Sequence, residues 1–137
     1  MNALFVDTGA LVARALLRDQ HHRASRKGWE TLEIIDARLF SSEHILDEAI
    51  SLLTRQAGAT YAARWGRDHL ASREIQWLDA TPENWQEALR WLEKLADQRL
   101  SFTDCLSFAL MRQENLRTVF GFDRHFGLAG FELWPAL

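Results

Sequence analysis

Two short apolar runs in this chain each stop at an aspartate: Leu4-Phe5-Val6-Asp7 near the start and Val119-Phe120-Gly121-Phe122-Asp123 near the end. Runs with no alternation of apolar and polar residues suit strands buried on both faces, which belong in the middle of a parallel sheet. In open α/β sheets the ligand crevice lies outside the carboxyl ends of the strands. A carboxylate placed where such a strand stops therefore faces the functional edge. Two of them, from opposite ends of the chain, suggest an acidic site assembled by the fold.

The elements between these runs alternate. Leu11, Val12, Ala15 and Leu16 have helical spacing within Thr8 to His22, with Thr8 as the cap, and a second helix runs from about Ala24 to Ile35. Ala37 to Ser41 reads as a strand. Ser42 then caps a helix with Ile45, Ala49, Leu52 and Leu53 on one side, which Gly58 ends. Tyr61 to Leu70 is helical and Glu74 to Leu78 a strand. Thr81 caps the next helix, Pro82 takes its first position, and Trp85, Leu89, Leu92 and Ala96 mark its expected buried face. Ser101-Phe102-Thr103-Asp104 matches a capping box with Asp in place of Glu and opens a helix to about Glu114. Thr118 to Phe122 and Phe131 to Trp134 complete the strands. Strands alternating with helices over short loops predict a three-layer α/β/α fold, with a central, mostly parallel sheet of four to five strands. No repeat, linker or low-complexity tract interrupts the chain, so residues 1–137 read as a single domain.

Composition narrows the function. The hydrophobic fraction of 47% and the scarcity of Gly and Pro argue against disorder. No apolar stretch has the length of a membrane span, and no secretory leader is recognisable, so a cytoplasmic location is expected. Cys105 is the only cysteine, which excludes an intrachain disulfide and a multi-cysteine zinc site. A net charge of −3 does not advertise nucleic-acid binding. An acidic cleft can nonetheless recruit divalent cations, which then receive phosphate oxygens. Of six tryptophans, Trp85 and Trp91 read as core. Trp29, Trp65 and Trp134 are candidates for a subunit interface, and a homodimer is expected.

Four carboxylates stand out: Asp7, Glu48, Asp104 and Asp123. Each alone has an ordinary explanation as a cap, a turn former or a solvent-facing residue. His21-His22, adjacent on a helix, do not face one direction, and the five histidines are not expected to form a shared site. Arg124 and His125 divide evenly between an exposed turn and contact with substrate phosphate. The basic residues Arg14, Arg18, Arg23, Arg26 and Lys27 read first as a solvated side. The chain has no phosphate-binding glycine loop, dinucleotide fingerprint or nucleophile elbow. A receiver domain would need a phosphoacceptor Asp after a central mid-chain strand and a late Lys; Glu74 to Leu78 leads only to Asp79, and no Lys occurs beyond Lys94.

Four segments together resemble the PIN domain, a family of metal-dependent nucleases, and in particular its small VapC-type toxins. These are Phe5-Val6-Asp7-Thr8, then Ser41 through Glu48-Ala49, then Ser101 through Ala109, and Phe122-Asp123-Arg124-His125-Phe126. The resemblance covers essentially the whole chain and is most specific in the last two segments. It implies catalytic carboxylates at Asp7, Glu48, Asp104 and Asp123, with Asp7, Asp104 and Asp123 as metal ligands. Asp47 is the runner-up for the second acid. Thr8 or Thr103 would supply a supporting hydroxyl. The implied activity is a Mg²⁺- or Mn²⁺-dependent endoribonuclease, the toxin of a type II pair, with an RNA substrate and a cognate antitoxin protein. Oxygen-rich ligands suit those cations on chemical grounds alone. The alternative is a catalytically inactive PIN-like module that binds RNA or regulates.

Overall fold

The computed structural model describes residues 2–136. In chain order it contains β1 (Ala3–Val6), α1 (Thr8–Ala15), α2 (His22–Ile34), β2 (Arg38–Ser42), α3 (Glu43–Ala57), α4 (Ala59–Ala71) and β3 (Ile75–Leu78). There follow α5 (Pro82–Lys94), a 3-10 turn (Ala96–Gln98), α6 (Phe102–Gln113), β4 (Thr118–Phe120), α7 (His125–Leu128) and β5 (Glu132–Trp134).

The strands form one sheet in the order β3-β2-β1-β4-β5, and every pairing is parallel. The chain steps outward from β1 through β2 to β3, then crosses back to β4 on the other side of β1. Right-handed crossovers in the two directions place their helices on opposite faces. Accordingly α1 to α4 pack together as one layer, and α5, α6 and α7 pack as the other. The reversal between β1 and β4 is the switch point at which such sheets leave a crevice. Leu4, Phe5, Val6, Val119 and Phe120 are buried there from both sides.

Local chemistry sets the element ends. Ser42 accepts the Ile45 N–H at 3.2 Å to open α3, and Gly58 closes it at φ 91°, a conformation that favours a residue without Cβ. Thr81 and Asn84 form a reciprocal capping box at the start of α5, with Pro82 in its first turn. Close packing depends on Gly28, where a Cβ would lie 2.8 Å from Phe120 Cζ.

Several expectations need correction. The first helix stops at Ala15, because the Asp19 carboxylate accepts the His21 N–H at 2.8 Å and holds a turn before α2. Leu17, in that turn, is 81% exposed. Thr8 is not the cap: Asp7 holds that position, and Thr8 lies inside the first turn. The β4 strand ends at Phe120, so Gly121 and Phe122 belong to the following loop, and α7 was not foreseen. The buried face of α5 is Asn84, Ala88 and Trp91, while Trp85 and Leu89 are exposed. Trp29 and Trp65 are core residues instead of interface residues.

Candidate metal centre

The sheet brings four acids to one place. Asp7 follows β1, and its N–H donates to the Phe120 carbonyl of β4 at 2.9 Å, so the strand ladder itself fixes the residue. Glu48 sits in the second turn of α3, directly after β2. Asp104 lies in the first turn of α6, where its N–H donates to Ser101 Oγ at 3.1 Å. Asp123 follows β4. All four line one open cleft of about 360 Å³, together with Thr8 and His21.

The close approach of Asp7 and β4 requires Gly121. A Cβ there would lie 2.9 Å from the Asp7 Cβ. The chain can thus pass beside Asp7 and return Asp123 to the same crevice.

Asp7 is the most buried of the acids, with 6% of its surface exposed. Its carboxyl is pushed up from 3.8 to about 8, by burial first and then by Asp104. Asp123 and Glu48 contribute in the same direction, and the hydrogen bond from the Thr8 backbone opposes them. Asp104 is also raised, by burial first and then by Asp123; His125 and the Ser101 hydrogen bonds partly offset this. Metal-free, Asp7 is mainly protonated at neutral pH.

Thr8 Oγ1 donates to Glu48 Oε1 at 2.5 Å and so orients that carboxylate. The second hydroxyl, Thr103, is not among the residues lining that cleft. It lines a neighbouring hollow with His44, Asp47 and Glu48. Asp47 is exposed and faces that hollow only, so Glu48 is the acid of this turn that reaches the cleft.

His125 departs from expectation. Its Nδ1 lies 3.0 Å from Asp123 Oδ1 and 3.4 Å from Asp104 Oδ2, so the ring joins the acids. One signal in the sequence pointed there: in Asp-x-His, the Asp123 carboxylate accepts the His125 N–H at 2.9 Å, which folds the histidine back. Arg124, between them, is exposed. His21 stacks on Phe122 at 4.3 Å between ring centres, and both line the cleft. Nothing in their spacing signalled that contact. Arg14 is withdrawn from any basic side. It lies 3.6 Å above the Trp29 ring and pairs with Glu74 at 3.0 Å.

The donor set is hard and oxygen-rich, with a low-lying imidazole. Asp104, Asp123 and His125 offer atoms all within 4.8 Å of one another, a spacing that one cation can span. Buried like charges of this density favour either a retained proton or a bound cation. Cys105 is buried outside the cleft, and its thiol is pushed up by burial and by Asp104, which disfavours a nucleophilic thiolate.

Comparison with known proteins gives consistent results. The family model described as PIN domain matches residues 4–132. The chain is similar to the 23S rRNA-specific endonuclease VapC20 of Mycobacterium tuberculosis, with 29% identity over 128 residues, 93% of this chain and 95% of that protein. The crystal structure of VapC20, described as a sarcin-ricin loop cleaving toxin, superimposes with a TM-score of 0.84 at 28% identity, covering 93% of this chain and 95% of that one. VapBC2 from Rickettsia felis, bound to a DNA fragment from their promoter, gives a TM-score of 0.71 at 12% identity with 96% of each chain covered. At that identity the likeness concerns the fold alone.

Proposed function

The chain belongs to the PIN domain family, and on that premise we propose that it is a metal-dependent endoribonuclease, the toxin of a type II toxin–antitoxin pair. The observation that carries this reading is the convergence of Asp7, Glu48, Asp104 and Asp123 from four separate elements on the β1/β4 crevice. Residues 1–137 act as one nuclease domain. Ribosomal RNA is the first substrate to try, because VapC20 carries that specificity in its name.

Asp7, Asp104 and Asp123 would hold the cation, Mg²⁺ or Mn²⁺. The fit rests on their oxygen donors and on a buried His125 Nδ1 that has no hydrogen-bond partner in the cluster. When bound, the cation supplies positive charge to the phosphodiester and acidifies water near it. Glu48, held by the Thr8 hydroxyl, orients the attacking water and accepts its proton. Asp7 would have to give up its proton to serve as a ligand. Arg124, exposed beside Asp123, meets a flanking phosphate of the RNA.

An antitoxin would cover this cleft. An apolar hollow of about 390 Å³ lined by Leu16, Leu17, Ala57 and Tyr61 adjoins it, sharing Asp19 and Gln56. A partner helix seated there would carry an Arg or Lys into the acids, where charge-assisted hydrogen bonds are strong. A homodimer would cover Trp85 and Leu89 on α5, which are 44% and 41% exposed. Among the described residues no helix is long and apolar enough to cross a membrane. A cytoplasmic site of action fits an RNA substrate.

The test is cleavage of a mixed RNA pool containing ribosomal RNA. Wild type should cut in Mg²⁺ or Mn²⁺ and stop in EDTA. Asp104→Asn, with Ser101 still in place as the cap, should stay folded and lose at least about a hundredfold in rate, a few kcal/mol of transition-state stabilisation. A folded wild type that binds metal and RNA without cutting would replace the nuclease with the inactive RNA-binding module.

A further inference from the structure

Resting on the reading of the cleft as a metal-dependent nuclease site, the geometry points to His125 Nδ1 as a nitrogen ligand to the cation, which makes this a mixed oxygen–nitrogen centre selective for Mn²⁺ over Mg²⁺.

The ring is pinned before any ligand arrives. Asp123 accepts the His125 backbone N–H at 2.9 Å, so Asp123 and His125 form one tight turn at the start of α7. Phe126, the next residue, is buried against Phe108 and anchors the helix to the core. That leaves Nδ1 facing Asp123 Oδ1 at 3.0 Å and Asp104 Oδ2 at 3.4 Å.

Those distances alone would fit an ion pair. The orientation does not. Nδ1 is buried, and neither carboxylate lies where its N–H direction could make a hydrogen bond. A buried polar atom without a partner is costly, and native proteins rarely leave one. A third body between the three atoms removes that cost. Two donors at right angles around a cation, each about 2.1 Å away, stand about 3.0 Å apart. The 3.0 and 3.4 Å separations are of that kind.

Ligand chemistry then decides which cation gains. Mg²⁺ takes oxygen and water and gains little from imidazole, whereas first-row transition ions accept nitrogen readily. Asp7, Asp104 and Asp123 admit both ions, and His125 discriminates between them. No other histidine is so placed: His21, though it lines the cleft, is stacked flat on Phe122.

The test is pulsed electron paramagnetic resonance of Mn²⁺ bound to the full chain, with titration calorimetry for affinities. Wild type should show nitrogen modulation of the Mn²⁺ echo, and growth on ¹⁵N-histidine should change its pattern, an experiment that needs no variant. His125→Gln should abolish the modulation and weaken Mn²⁺ about tenfold or more while leaving Mg²⁺ nearly unchanged. His21→Gln should leave both intact. Mn²⁺ bound without nitrogen modulation in wild type would overturn the proposal, and metal-dependent RNA cleavage would still stand. Failure of the nuclease reading shows instead as a metal-loaded protein that leaves RNA uncut.

Discussion

Replacing Asp7 by Asn should make the metal-free protein more stable, increasingly so as pH rises. The carboxyl is held at about 8 in the folded protein against 3.8 outside it, chiefly by burial and then by Asp104. An acid whose folded value is raised binds its proton more tightly in the native state. It therefore costs nothing below its unfolded value, destabilises progressively as pH rises toward 8, and adds nothing more above that. Over this window each pH unit costs about 1.4 kcal/mol, so between about pH 5 and pH 7 wild type should lose about 3 kcal/mol through Asp7 alone. Asn has nearly the same shape, can still accept the Thr8 N–H, and does not titrate. With an unfolding entropy of about 2.1 cal/mol/K per residue, 3 kcal/mol corresponds to about 10 °C for a chain of this length. Urea unfolding of both proteins in EDTA across that range measures the difference directly. The gap between the variant and wild type should widen with pH. Parallel curves would mean that Asp7 is not held protonated among the other acids, and the electrostatic account of the cleft would fall.

Two further outcomes follow from the same geometry. Loading wild type with Mn²⁺ near pH 7 should release about one proton per cation, because Asp7 must ionise to become a ligand; calorimetry in buffers of different ionisation enthalpy reads this, and Asp7→Asn should remove the release. Gly28→Ala should cost about 1–3 kcal/mol in urea unfolding, since its Cβ meets Phe120 at 2.8 Å and Trp134 at 3.2 Å; unchanged stability would show that the α2–β4 contact has slack.

Much of the fold is legible in the residues because its signals are local. Buried apolar runs mark β1 and β4, Ser42 and Thr81 cap the helices they precede, and Gly58 ends α3. The α5 face was misread for a physical reason: Trp85 and Leu89 have the same helical spacing as core residues, yet Ala88 and Trp91 fill the narrow space against α6. The turn between α1 and α2 is held by backbone hydrogen bonds and by the Asp19 carboxylate on the His21 N–H, which no periodicity records. Apolar runs ending in an acid singled out Asp7 and Asp123 as candidates from the residues alone, and the structure brings both to the cleft, Asp123 from the loop after β4. Glu48 and Asp104 needed the family resemblance, since each could equally have been a surface or capping residue. His125 escaped because its place depends on the direction in which α7 leaves Asp123, and α7 is too short to announce itself.

The strand order also bears on when the cleft comes into being. Asp7 emerges from the ribosome before the other three acids, but it acquires its neighbour Asp123 only after β4 has paired with β1. Pairing of segments so distant in the chain is slow to form, because the whole intervening loop must be ordered first. A nascent chain, or one cut short before β4, carries Asp7, Glu48 and Asp104 without the strand end that gathers them to Asp123. The four-acid cleft thus cannot be complete before β4 and Asp123 have left the ribosome and paired with β1.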